Sequence, residues 1–163
     1  MTADVQFASL EPFARDRPAP ALPAKPLVNP VSGLANDYLN LFNELVMMLE
    51  QLPQMPELID DLLAWRPVTY QEYFQKSQLA GRSSALAAYE RLDPSFRRRF
   101  ESYVAELDTI AVASVAAVRL HHRHGALHDA TRVAGTCARA GEKMRAILIR
   151  ASRLVNYGRL GDE

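Results

Sequence analysis

Residues 93–157 read DPSFRRRFESYVAELDTIAVASVAAVRLHHRHGALHDATRVAGTCARAGEKMRAILIRASRLVNY, and the periodicity of this stretch decides the fold class. Asp93-Pro94 is a helix start: the carboxylate accepts from free backbone amides, and proline is tolerated where no helical amide bond is needed. Beyond it Phe96, Phe100, Tyr103, Leu107, Ile110, Ser114, Ala117 and His121 alternate steps of four and three, the seam of a long helix that packs on another. The helix is expected to run to about residue 122 or 124. The same rhythm returns from Asp129 to Tyr157 in Val133, Cys137, Ala140, Met144, Ile147, Ala151 and Leu154. Both seams are rich in small residues, so two helices broken near Gly125 and packed antiparallel at short distance are the simplest reading. One glycine costs a helix only about 1 kcal/mol, which leaves a single unbroken helix open.

The preceding segments read as shorter helices. Leu34, Tyr38, Leu41, Phe42, Leu45, Met48, Leu49 and Leu52 keep three-and-four spacing up to Pro53, predicting an amphipathic helix over 34–52. A short helix is expected over 57–65, ended by Pro67. Thr69 with Glu72 three residues on is a capping box opening another. Ser83 or Ser84 is expected to cap a helix running to Leu92. No segment alternates as a strand would. The expected fold is all-α: an irregular helical bundle built on the long antiparallel pair, one domain over 34–158. Residues 1–33 hold six of the ten prolines, and such a run favours extended polyproline conformation, so it is expected to be a disordered tail. From Thr109 to Val118 no charge appears, and Val112, Ala113, Ala116 and Leu120 form a second apolar strip. A helix apolar on two sides is central or at an oligomer interface. Cover by the early helices is the expectation, with a homodimer as the alternative.

Lysine plus arginine equals aspartate plus glutamate at 19 each, so net charge points to neither nucleic acid nor membrane. The single cysteine, Cys137, allows no intrachain disulfide and falls on a seam, where a thiol is a small core residue. The longest uncharged apolar stretch is about half a membrane span. The first thirty residues lack an apolar run of signal-peptide length. A cytoplasmic protein without a membrane segment is the expectation.

Charge is segregated along the chain. Residues 34–65 carry six acidic residues and no basic one, whereas 119–159 carry nine basic residues against Asp129 and Glu142. Arg132, Arg139, Lys143, Arg150 and Arg153 fall on one stripe of the last helix, roughly opposite its seam. Such a stripe balances the acidic helix, meets an acidic protein partner or follows phosphates; without interleaved aromatics, nucleic acid is the weakest of these readings. Asn36, Asn40 and Asn43 share the pole of the first helix opposite its apolar arc. Asparagine is a poor helix former, and on a merely solvated face glutamate or lysine serves better, so the row is a candidate contact surface. Phe7, Leu10 and Phe13 give the tail apolar residues that a spacer does not need, and are candidate docking residues.

All four histidines fall within eight residues. On an unbroken helix His121, His124 and His128 share one side at metal-ligand spacing; on a broken one they are a polar helix end with His121 packed inward. Trp65, Tyr70, Tyr73 and Phe74 read as a plug between short helices and the core. No phosphate loop, paired cysteine motif or nucleophile elbow occurs, so no catalytic residue and no cofactor is named. The leading expectation is a non-enzymatic interaction or regulatory module with a protein partner, an acidic one in particular. The alternatives are a metal-binding helical protein using the histidines and a nucleic-acid-associated protein using the stripe.

Overall fold

The structure, a computed structural model, describes residues 26–125 and 129–158. Among these the chain is helical with no strand: α1 (Asn40–Gln51), α2 (Ile59–Ala64), α3 (Tyr70–Lys76), α4 (Arg82–Glu90), α5 (Pro94–Arg123) and α6 (Ala130–Tyr157). Short 3-10 turns, Asn36–Leu39 and Pro56–Leu58, precede α1 and α2.

The antiparallel α5–α6 pair is the largest contact in the molecule, and α1 lies mainly on α6. The start of α5 follows its sequence signal: the Asp93 carboxylate accepts from the Ser95 and Phe96 amides at 3.0 and 3.1 Å, with Pro94 in the first position. Asp129 likewise accepts from the Arg132 amide at the start of α6. All seven α6 seam residues are buried; on α5 Phe100, Leu107 and Ser114 are buried, and Phe96, Tyr103, Ile110, Ala117 and His121 are half-buried. Ser114 is accommodated because its hydroxyl donates to the Ile110 carbonyl one turn back.

The short elements close the core through aromatic packing. Tyr38, Phe42, Tyr70, Phe74, Tyr89 and Phe100 are buried and meet edge-on, tilted or stacked at centroid distances from 4.5 to 6.1 Å. The capping box forms: Thr69 Oγ1 accepts from the Glu72 amide, and Glu72 accepts from the Thr69 amide. Trp65 wedges against Phe42 and donates through Nε1 to the Leu41 carbonyl, the plug expected of it. Cys137 is buried on the seam, and burial pushes its thiol pKa up to about 11, which suits a packing residue rather than a nucleophile.

Four expectations are corrected. The folded region reaches back to residue 26: Leu27 and Val28 pack against the core, Ser32 is buried, and Gly33 at φ +77° closes a turn whose amide donates to the Asn29 carbonyl. Proline content conceals this, because a turn needs only a few anchored side chains. Residues 34–39 are not α-helical but an extended entry and a 3-10 turn, although Leu34 and Tyr38 are buried as their spacing implied. The cap of α4 is Gly81 at φ +86° rather than Ser83 or Ser84, which lie inside the first turn. Finally, the early helices do not cover the second strip of α5. Ala111, Val115 and Val118 of α5 are buried, whereas Val112, Ala113, Ala116 and Leu120 are exposed.

Candidate interaction groove

The asparagine row and the C-terminal half of α6 face each other. Asn36, Asn40 and Asn43, all exposed, line one wall of a groove of about 550 Å³, and Arg145, Ile149, Ser152, Arg153 and Asn156 line the other. Both walls follow from helical spacing. Asn40 and Asn43 are about one turn apart on α1, Asn36 lies in the 3-10 turn before it, and 145, 149, 152 and 156 succeed one another by about a turn on α6. The walls are tied at one end, where the Asn36 carboxamide donates to Asn156 Oδ1 and the Asn156 amide donates to Ser152 Oγ at 3.4 Å. Farther along, Arg145 donates through Nε and Nη2 to the two carboxylate oxygens of Glu50, both at 2.6 Å. This bidentate pair holds the Glu50 carboxyl below the usual carboxylate range and fixes the guanidinium at the groove edge. Ile149 is 55% and Tyr157 68% exposed, large apolar surfaces open to solvent in an otherwise polar groove.

The groove therefore offers the Asn40 and Asn43 carboxamides, which can both donate and accept, the Arg153 guanidinium and two apolar side chains, Arg145 being engaged with Glu50. A carboxamide matches a peptide group, since it can accept from an N–H and donate to a C=O.

The other candidates fall in separate places. Arg132, Arg139, Lys143, Arg150 and Arg153 are all exposed on α6, and none makes an ion pair among the described residues. Only Arg153 reaches the groove. The contact between the acidic helix and the basic one uses Arg145, which lies off the stripe, and nothing in the sequence alone singled it out. His121 is half-buried with Nε2 3.3 Å from Thr136 Oγ1, while His122 and His124 are exposed. The helix ends at Arg123 and Gly125 turns at φ +65°, so the unbroken helix that would align three histidines does not form. Among the described residues no three histidine, cysteine or carboxylate side chains gather as a metal ion requires. His128, Phe7, Leu10 and Phe13 lie outside the described residues. Among the described helices none is long and apolar enough to cross a membrane.

No protein-family model, curated protein or solved structure matches the chain.

Proposed function

We propose that this chain is a protein-interaction module without catalytic chemistry of its own, and that the groove between α1 and α6 takes an extended, acidic segment of a partner protein. The observation that supports this most is that the asparagine row faces Arg153, which makes no ion pair among the described residues, across one groove. Asparagine there is costly to a helix and useful to a peptide backbone. The Arg153 guanidinium favours a carboxylate on the incoming segment, and Ile149 and Tyr157 supply apolar contact.

Selection from a random twelve-residue peptide library tests the reading. The parent protein should enrich acidic sequences with apolar residues at alternate positions, and raising salt should weaken their binding because exposed charges are screened. In an Asn40→Ala variant, losing two hydrogen bonds of about 0.5–1.5 kcal/mol each should weaken those peptides about tenfold. Equal enrichment by the parent and by an Asn40→Ala, Arg153→Gln double variant would remove the groove from the account.

A further inference from the structure

A second groove, of about 560 Å³, runs between α1 and α2. Leu41, Glu44 and Met47 follow one another by three residues along α1, and Leu58, Asp61 and Ala64 do the same along α2 and the 3-10 turn that opens it. Three residues are about one helical turn, so each wall presents a carboxylate with an apolar side chain on either side of it. Trp65, just past the end of α2, donates through Nε1 to the Leu41 carbonyl at 3.0 Å and so ties the two walls together. All of these side chains are open to a partner: Glu44, Met47, Asp61 and Ala64 are exposed, and Leu41, Leu58 and Trp65 are half-buried.

The charges of the groove are unanswered. Residues 34–65 carry six acidic side chains and no basic one, and among the described residues only Glu50 of the six makes an ion pair, with Arg145. Glu44 and Asp61 make none, even with Arg66, the one cation of the lining, which lies beyond the end of α2. A single exposed apolar residue is ordinary on a protein surface. Here Met47, 49% exposed, shares a concavity with Leu41, Leu58 and Trp65, and two free carboxylates stand on opposite walls of it. Such a surface complements a segment that is apolar at its centre and cationic at its edges, and repels an acidic one.

We propose that the α1–α2 groove docks a basic amphipathic helix of a partner protein, two of whose lysine or arginine side chains meet Glu44 and Asp61 while a large apolar residue between them seats against Met47, Leu58 and Trp65. A trough between two helices suits a third laid in it by its apolar face. The unbranched methionine adapts to the shape of the incoming residue. Lysine and arginine cover apolar surface with their stems and carry the charge outward to the carboxylates. Arg66 repels a cation from its end of the groove, which fixes where the basic residues of the helix fall. The two grooves share no lining residue and favour opposite charge, so each stands or falls without the other.

Trp65 is the only tryptophan of the chain, so its fluorescence reports on the groove directly. The probe is a sixteen-residue peptide of leucine and lysine alone, with its leucines at three-and-four spacing, titrated into the full chain. It should change the Trp65 emission saturably, with a Kd of about 10 μM at low salt that rises as salt is added. A peptide of lysine alone brings the charge without the apolar anchor and should bind about tenfold more weakly. The Glu44→Gln, Asp61→Asn double variant should weaken the leucine–lysine peptide about fivefold or more, and Met47→Gln about threefold. Glu57→Gln with Asp60→Asn removes equal charge from exposed positions outside the groove and should change binding by less than about twofold. Equal losses in the two double variants, or equal binding of the lysine peptide, would show general attraction to an acidic surface and overturn the proposal. So would unchanged affinity in Met47→Gln, or a Trp65 emission that stays constant up to 200 μM peptide.

Discussion

Replacing Leu107 with alanine removes the side chain that α5 buries completely near the middle of its seam with α6. Deleting buried leucine atoms loses their transfer free energy and leaves a cavity that a close-packed pair of long helices fills only partly, a cost of 2–5 kcal/mol in comparable cores. Full burial places Leu107→Ala at about 3 kcal/mol or above. At about 2–4 °C per kcal/mol for a chain of this size, the unfolding midpoint should fall by about 6–12 °C. Ile110 is only half-buried, so Ile110→Ala should cost less than Leu107→Ala. Val112 is 50% exposed on the opposite side, and Val112→Ala should change stability by no more than about 0.5 kcal/mol. Urea unfolding followed by circular dichroism at fixed protein concentration gives all three values. A loss at Leu107 below 1 kcal/mol, or a loss at Val112 as large as that at Leu107, would refute the register of α5.

Truncation at residue 34 should lower the unfolding midpoint relative to truncation at residue 26, because Leu27, Val28 and Ser32 pack against the domain; equal midpoints in thermal denaturation would contradict that packing. The Glu50–Arg145 pair is exposed and should contribute less than about 1 kcal/mol. Since Arg145 lowers the Glu50 pKa on folding, that contribution is present above the usual glutamate value of about 4.3 and is lost as pH falls through the lowered one. The stability difference between the parent and Glu50→Gln should accordingly shrink on acidification, and a difference that grows would show the wrong sign. Changing Arg139, Lys143 and Arg150 together to glutamine should leave stability within about 0.5 kcal/mol in urea unfolding, because none of the three pairs with the acidic helix.

Much of the fold was legible because it rests on local rules. Asp93-Pro94 and Thr69–Glu72 are complete signals within four residues, and the seams of α5 and α6 repeat over eight and seven residues. What escaped depends on residues far apart in the chain. The asparagine row was visible, but its partner wall begins about 100 residues later, and only the packing of α1 on α6 brings Asn36 to Asn156. Arg145 looked unremarkable beside a five-residue stripe, yet it is the cation that reaches Glu50. The charge-free run of α5 shows the converse limit. Composition identifies an apolar strip at Val112, Ala113, Ala116 and Leu120, but which side of a helix its neighbours cover is decided by their own apolar faces.

The side-chain amides of the groove give the most direct test of the proposed interaction, because each carboxamide NH2 is separately visible by nitrogen–proton correlation NMR. Adding an acidic peptide selected by the parent protein should shift the NH2 resonances of Asn36, Asn40, Asn43 and Asn156 together with the Arg153 side chain, at peptide concentrations that leave Arg132, Arg139 and Lys143 unmoved. Shifts along Arg132, Arg139 and Lys143 with the four carboxamides unchanged would place any anionic partner on the basic stripe and contradict the groove as the binding site.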